Sequence, residues 1–191
     1  MKSIAIALAA LFILPASAAL ADGAVQKLMT SADKTRLEKY DETRKTALAE
    51  AKGGNAAELA QLDALLAKPL LSLPDFDLGG EWRCRTTKVG GLSPLVVYGW
   101  FRCRVSDDGS GWKLEKTSGS QRTTGRFYDD GETRLIYLGS FSIAGDTPKP
   151  YGNGAESDQV GYAFRTGPAE WRIEFSAPQY ESKLDILELR R

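Results

Sequence analysis

The only two cysteines of this 191-residue chain stand in near-copies of one tetrapeptide. The sequence reads WRCR at residues 82–85 and FRCR at residues 101–104, on either side of a turn centred near Ser93-Pro94. An antiparallel hairpin with that turn places Cys84 opposite Cys103, within reach of a disulfide. An oxidising compartment would close the bond and a reducing one would leave two thiols. The chain has no Cys-x-x-Cys motif for redox catalysis.

The arginines of the two tetrapeptides form a second candidate site. They alternate with the apolar and cysteine positions, so they share the opposite face of the hairpin. These residues are Arg83, Arg85, Arg102 and Arg104. Like charges that face each other across a sheet are destabilising. The arginines therefore either pair with acids, from a neighbouring strand or from the acid-rich segment 33–42, or bind an anionic ligand.

A polar strand supplies a third set of candidates. Segment 118–126 is unusually polar for a strand and contains Gln121, Arg122 and Arg126. If this strand faces the lumen of a barrel, those side chains would bind a polar ligand. If it is an edge strand, they simply face water.

A long loop supplies two more candidate ligand contacts. Residues 145–158 are rich in Gly and Pro and show no strand or helix pattern. Loops of this length are often functional, so Tyr151 and Asp158 are candidates for a lid that closes over a ligand. The alternative is a loop without a function.

The chain contains no histidine, and this excludes several chemistries. Ser-His-Asp and Cys-His catalysis and histidine-ligated metal sites all need that residue. Acids cluster at residues 129–132, 156–158 and 181–185. Paired carboxylates can hydrolyse glycosides, but the sequence does not give the separation between these acids. We therefore predict no catalytic residue, no metal and no cofactor.

The first residues have the pattern of a secretory signal peptide. Lys2 precedes an apolar run from Ile4 to Leu14, and Ala19-Leu20-Ala21 fits a cleavage site before Asp22. An uncleaved anchor helix is the alternative, but spanning a bilayer takes about 20 apolar residues. We predict a signal peptide over residues 1–21, a periplasmic mature protein without a transmembrane segment, and, because that compartment is oxidising, a disulfide between the two cysteines.

The part that follows the signal divides into a helical and a β region. Residues 30–67 show helical spacing, with capping signals at Thr30 and Asn55 and a break at Gly53-Gly54. This pattern predicts a helical hairpin, which with its linker occupies residues 22–78. Packing against the rest of the protein is its simplest role, and docking a partner is the alternative.

From Gly79 to the end, the hydrophobic period changes to two. Strand-like segments separated by Gly-rich turns lie near residues 80–87, 95–105, 111–117, 120–128, 132–142, 159–166, 169–176 and 182–189. About eight strands with short turns and no intervening helix predict an antiparallel meander. The chain is thus expected to be mainly β, with residues 79–191 forming a closed barrel or a strongly curled sheet.

Two resemblances add to this interpretation. The first rests on motifs spread along the chain: LEKYD at residues 37–41, GEWRCR at 80–85, VYGWFRC at 97–103, GSQR at 119–122, YLG at 137–139, PYG at 150–152, DQVG at 158–161 and ESKLD at 181–185. In these the chain resembles domain-of-unknown-function family 4893, a family of exported alphaproteobacterial proteins, which implies no activity.

The second resemblance is local. Gly80-Glu81-Trp82 is similar to the Gly-x-Trp signature of the calycins, which include the lipocalins. The resemblance implies a calycin-like barrel in which this Trp packs under an Arg near the chain end, a part that Arg190 or Arg191 would play.

These observations favour binding over catalysis. Acidic and basic residues balance at 25 each, so net charge gives no argument for nucleic acid as a partner. We expect an exported module that binds a polar or anionic small molecule or an envelope component. A structural or inhibitor-like protein with a filled barrel is the alternative, followed by a histidine-free hydrolase that uses carboxylates.

Overall fold

The computed structural model of the protein describes residues 22–73 and 76–191. The predicted signal peptide, residues 1–21, lies outside these ranges. The helices are α1 Asp22–Leu28, α2 Ser31–Glu38, α3 Tyr40–Ala51 and α4 Ala56–Leu66. The strands are β1 Gly80–Gly91, β2 Leu95–Val97, β3 Phe101–Asp107, β4 Trp112–Lys116, β5 Gln121–Asp129, β6 Leu135–Ile143, β7 Asp158–Gly167, β8 Glu170–Ser176 and β9 Ser182–Arg190.

Eight antiparallel strands close into a barrel, as the strand pattern predicted. From β3 onward each strand pairs with the next, β1 pairs with β3, and β9 returns to pair with β1 from Arg83↔Arg190 to Gly91↔Ser182. Strand β2 is an extra short strand beside the second half of β1. Closure removes the exposed edges that an open sheet would leave.

The predicted register between the two tetrapeptides is wrong by two residues. Trp82 faces Cys103, and Cys84 faces Phe101. The physical reason is that the turn is centred near Leu92, with Val89 facing Leu95, and not near Ser93-Pro94. Residues 98–100, which leave the ladder between β2 and β3, then shift the pairing by only one residue. The disulfide between Cys84 and Cys103 is present nevertheless, because diagonal neighbours on one face are close enough, with the two Cα atoms 5.8 Å apart.

One end of the barrel is filled with apolar side chains. Strand residues of one parity face inward, and toward this end they are almost all hydrophobic. The core consists of Leu73, Leu78, Trp82, Cys84, Cys103, Val105, Leu114, Phe127, Leu135, Tyr137, Ala163, Trp171, Ile173, Phe175, Leu187 and Leu189. The disulfide is therefore part of the core.

A stacked Trp–Arg pair closes this end, as the calycin resemblance implied. The guanidinium carbon of Arg191 lies 4.1 Å from the centre of the Trp82 ring. Trp82 Nε1 donates to the Leu78 carbonyl at 2.8 Å, and Arg191 Nη2 donates to the Asp77 carbonyl at 2.8 Å. These contacts hold the chain entering β1 against the chain end after β9.

The helices pack on the outside of the barrel. Helices α3 and α4 share an apolar cluster with β1, β2 and β9, and α1 and α2 share another with β6 and β7. Thr30 and Asn55 cap α2 and α4, as predicted. The first predicted helix is interrupted at Lys39, and α1 precedes it. None of the helices in the described ranges is long and apolar enough to span a membrane.

A buried polar network fixes α3 to the barrel wall. The Glu174 carboxylate on β8 is fully buried and accepts hydrogen bonds from Tyr40 Oη at 2.7 Å, Arg44 Nε at 2.8 Å and Arg172 Nε at 2.8 Å. Burial, followed by the charge of Glu174, raises the pKa of Tyr40, so its hydroxyl stays a donor. The carboxylate thus keeps three partners, which a buried charge requires.

Candidate functional site

Toward the opposite end, the inward-facing residues change from apolar to polar. On β1, Trp82 and Cys84 are followed by Thr86 and then by buried Lys88. On β9, Leu189 and Leu187 give way to Asp185. The polar end encloses a cavity of about 40 Å³, called the chamber here. Its lining consists of Thr86, Lys116, Gln121, Arg122, Thr123, Phe141, Gln159, Phe175, Asp185 and Leu187. A volume of this size holds roughly one or two water molecules.

Tyr137 lies just below the chamber, and its position depends on two glycines. Gly125 and Gly139 face each other across β5 and β6. A Cβ at Gly125 would lie 2.5 Å from Cζ of Tyr137, and a Cβ at Gly139 would lie 2.5 Å from its hydroxyl. Only residues without a side chain therefore let the Tyr137 ring lie along this wall.

A hydrogen-bonded chain runs from Tyr137 to the chamber. Thr123 donates to Gln159 Oε1 at 2.6 Å, so its oxygen accepts from the Tyr137 hydroxyl at 2.7 Å. Burial raises the pKa of Tyr137, which keeps that hydroxyl protonated. The Gln159 amide nitrogen remains a donor for which the described residues provide no acceptor.

Lys116 is the chamber's principal cation. Only 9% of it is exposed, and its Nζ lies 4.6 Å from the centre of the Phe101 ring. Burial, reinforced by the charge of Arg122, lowers the pKa of Lys116 to about 8, although Asp185 acts in the opposite direction. Within the described residues, Lys116 forms no ion pair. The Lys116 side chain is therefore largely buried, and its ammonium group has no anion in contact.

Asp185 is the chamber's carboxylate. It is also only 9% exposed, and Ser182 Oγ donates to it at 2.5 Å. Burial raises the pKa of Asp185 to about 6, against the opposing effects of the Ser182 hydrogen bond and of Lys88. The chamber thus combines a lysine that loses its proton easily with an aspartate that holds its proton unusually well, a combination that marks candidate functional sites.

The loop between β8 and β9 is held over the chamber by Glu181. The Glu181 carboxylate forms an ion pair with Lys88 and accepts from Gln121 Nε2 at 3.4 Å. These two hydrogen bonds lower the pKa of Glu181. The same loop contains the two non-glycine residues with positive φ in the described ranges, Ala177 at 47° and Glu181 at 69°. Backbone strain of this kind often occurs at functional sites.

Above the chamber lies an open, largely apolar groove of about 710 Å³. Its lining consists of Gly91, Leu92, Gln121, Phe141, Ile143, Pro178, Gln179, Tyr180, Glu181, Ser182 and Lys183. Leu92 is 85% exposed, and Phe141 and Tyr180 are in aromatic contact with centroids 5.6 Å apart. Gln121 and Phe141 line both spaces, so they form the neck between groove and chamber. We call this polar end of the barrel, with the chamber, the neck and the groove, the mouth.

The structure places two of the three predicted residues of the polar strand, Gln121 and Arg122, in the lining of the chamber and the third, Arg126, away from it. Gln121 lies at the neck. Arg122 has its guanidinium bonded to the carbonyls of Gly119 and Lys116, at 2.6 and 3.2 Å. Arg126 forms an ion pair with Asp108 in the β3–β4 turn, away from the mouth.

Of the two predicted loop residues, Tyr151 anchors the loop to α2 and its cap, and Asp158 bonds to the backbone of the loop itself. The Tyr151 hydroxyl donates to Asp33 Oδ2 at 2.8 Å and accepts from the Thr30 N–H at 3.1 Å. The Asp158 carboxylate accepts from three backbone N–H groups of residues 152–154, at 3.0, 3.1 and 3.3 Å. Asp158 also borders a cavity of about 20 Å³ beside the chamber. Both polar groups are thus occupied within the protein.

The four predicted arginines lie on the outer wall, where two have acidic partners. Arg85 Nη2 lies 2.7 Å from Glu188, and Arg104 Nε lies 2.6 Å from Glu81. Arg83 and Arg102 face each other directly across β1 and β3. The acids come from neighbouring strands and not from segment 33–42.

The sequence interpretation missed three residues of the mouth, Lys88, Lys116 and Gln159, and it considered a fourth, Asp185, only among the acids of segment 181–185. The signal that could have identified them is a charged or amide residue at the inward parity of a strand. Lys116 shares the parity of Leu114, and Asp185 shares that of Leu187. In the described ranges, no three His, Cys, Asp or Glu side chains come together as metal ligands would.

Comparison with known proteins gives one match. The sequence profile of the family described as "Domain of unknown function (DUF4893)" matches residues 25–189. No curated protein and no solved structure matches the chain.

Proposed function

We propose that this chain, which belongs to the DUF4893 family, binds a small amphiphilic anion at the mouth of its barrel. The anionic group would enter the chamber beside Lys116, and the apolar part would lie in the groove. The observation that carries this proposal is the largely buried Lys116 in the lining of the chamber, whose ammonium group has no ion-pair partner among the described residues.

The chemistry of the chamber favours a carboxylate as the anionic group. A buried cation without an anion is unfavourable, so a ligand that supplies the negative charge gains more than it would at an exposed lysine. The Gln159 amide nitrogen offers a second donor nearby. Because the chamber holds roughly one or two waters, only a group of carboxylate size would enter it, after displacing that water.

The groove accounts for the rest of the ligand. Leu92, Ile143 and Tyr180 are exposed side chains that would lose water contact when an apolar chain covers them. Phe141 at the neck is in contact with Tyr180, so it would separate the charged end of the ligand from its apolar part. An alkyl or aryl carboxylate matches both environments.

Binding fits the mouth better than hydrolysis does. Carboxylate catalysis needs one acid free to donate a proton and a second to attack or activate water. Glu181, in the loop above the chamber, is the candidate for the second acid, but Lys88 and Gln121 occupy its carboxylate. The filled-barrel alternative applies only to the opposite end, where the core is apolar.

The site of action that we propose is the periplasm. A disulfide within the core suits an oxidising compartment, and residues 1–21 have the composition of an export signal. The intact mass of protein recovered from the periplasm would test this, since export with cleavage predicts a chain that begins at Asp22.

The binding proposal is tested by calorimetry with octanoate and with octanol, which differ only in the headgroup. We expect octanoate to bind and octanol to bind about tenfold or more weakly, as a charge-assisted contact requires. Affinity for octanoate should fall between about pH 6 and pH 9.5, because Lys116 loses its proton over that range and Asp185 gains its charge.

The decisive variant is Lys116→Met, with Lys113→Met as the matched control. Lys113 lies on the same strand but faces outward, 3.0 Å from Glu115. Lys116→Met should reduce octanoate affinity by about tenfold or more, and the control should retain it. Equal binding of octanoate and octanol, or unchanged affinity in Lys116→Met, would show the proposal to be wrong.

A further inference from the structure

Three arginines form a row on the outer wall of the barrel, independent of the mouth. Arg83 on β1 faces Arg102 on β3 and, on its other side, Arg190 on β9. Neighbouring strands lie about 4.8 Å apart, so the three charges occupy a line across three adjacent strands. All three are exposed, and within the described parts of the chain their guanidinium groups form no hydrogen bond or ion pair. We call them the arginine row.

The positions on either side of the row are balanced by acids. Arg104 faces Glu81 on β1 and Glu115 on β4. Arg85 faces Glu188 on β9. Like charges that face each other destabilise a sheet. The row therefore destabilises the sheet locally, whereas the Arg–Glu pairs on either side of it do not.

The acid that faces the row directly in the described part of the chain is engaged elsewhere. Glu170 on β8 faces Arg190, but its carboxylate pairs with Lys68 at 3.1 Å. The row therefore keeps its positive charge, and an external anion would relieve the repulsion within it.

Trp100 supports the row from the segment that leaves the ladder. The guanidinium carbons of Arg83, Arg85 and Arg190 lie 5.3, 4.7 and 4.6 Å from the centre of its ring. Cation–π contacts restrict the arginines without neutralising them. Tyr98, two residues earlier, is 40% exposed.

We infer that the arginine row, with Trp100 and Tyr98, is a binding surface for the phosphate groups of an anionic lipid surface. The outer wall of a barrel is convex, so it offers no pocket that would surround a small ion. Three charges in a line contact an extended or planar anion instead. Guanidinium groups bind phosphate bidentately, and Trp and Tyr are the residues enriched at the level of lipid headgroups.

The test is co-sedimentation with vesicles of phosphatidylcholine alone or with one third phosphatidylglycerol. We expect binding only to the anionic vesicles, and weaker binding as salt increases. Each arginine near such a surface contributes about fivefold to partitioning. The double variant Arg83→Gln/Arg102→Gln should therefore partition about 25-fold less. The control Arg104→Gln/Glu81→Gln, which also changes two residues but removes an ion pair without changing the net charge, should change little.

Several results would overturn the inference. They are equal binding to neutral and anionic vesicles, an unchanged partition of the double variant Arg83→Gln/Arg102→Gln, or an equal loss in the control Arg104→Gln/Glu81→Gln. Binding to a soluble polyanion such as heparin without binding to anionic vesicles would identify a different class of partner and would also overturn it. The double variant should keep its fold, because it removes facing like charges, and a thermal melt checks this.

Discussion

Replacing Lys116 by Met should make the protein more stable while it abolishes the proposed binding. The lysine is buried and its pKa is lowered from 10.5 to about 8, which corresponds to about 3 kcal/mol of unfavourable free energy for the charged form. Met has a similar length, no charge and suits an irregular core. It should therefore occupy the same space without that cost.

The net gain should be smaller than the full cost. Water that reaches the chamber from the groove screens part of the charge. The variant also loses the contact of Nζ with the Phe101 ring, 4.6 Å away, and the attraction to Asp185. We expect the free energy of unfolding at about pH 7 to increase by roughly 2 kcal/mol.

The pH dependence identifies the cause. A lysine whose folded pKa is lowered destabilises the folded state fully below about pH 8, where folded and unfolded chains both hold the proton. The cost declines as the pH rises toward the ordinary lysine pKa of 10.5, because the folded protein releases its proton first. The advantage of Lys116→Met should thus shrink to about half or less by about pH 9.5.

The measurement is urea unfolding of the wild type, Lys116→Met and Lys113→Met at both pH values. The outward-facing control should stay within about 0.5 kcal/mol of the wild type. Loss of stability in Lys116→Met at neutral pH would refute the reasoning, since it would mean that the ammonium group has favourable partners. A gain that does not depend on pH would refute it as well, because it would have to come from packing.

Two further predictions concern the rest of the barrel. Replacing Cys84 and Cys103 together by Ala should lower the free energy of unfolding by about 2–4 kcal/mol, because the disulfide constrains a loop and lies in the core. Urea unfolding measures this, and an unchanged free energy of unfolding would contradict the prediction. Gly125→Ala should destabilise by about 2 kcal/mol or more and reduce ligand binding, because its Cβ would lie 2.5 Å from Gly139 Cα and displace Tyr137. Gly99→Ala, with nothing within 4 Å of its Cβ, is the control and should be close to wild type.

Local patterns were sufficient to predict most of the fold. The alternation of strand residues, the Gly-rich turns and the caps at Thr30 and Asn55 depend only on neighbours in sequence. The register between β1 and β3 was predicted wrongly, because the turn is centred near Leu92 and because residues 98–100 leave the ladder. Helix α1 has no strong signal of its own, and its Val25 is buried against other elements.

The candidate site was harder to predict because it depends on closure. Gln121 was identified from the polarity of its strand, and it lies at the neck. Lys116 and Asp185 lie on β4 and β9, far apart in sequence, and only a closed barrel brings them to one chamber. Sequence polarity also selected Arg126, which lies outside, since polarity alone does not tell the inner face from the outer one.

The two ends of the barrel differ in composition, and this difference explains how the fold tolerates buried charges at the mouth. A buried lysine and a buried aspartate both lower the stability of the folded state, which for a domain is a small difference between large terms. The opposite end offsets this cost with an apolar core, a disulfide between β1 and β3, and the Arg191–Trp82 contact that joins the ends of the barrel sequence. All three contacts involve β1, the strand that also contributes Lys88 to the mouth. Stabilising interactions at the far end of the same strands therefore offset the unfavourable burial of charge at the mouth.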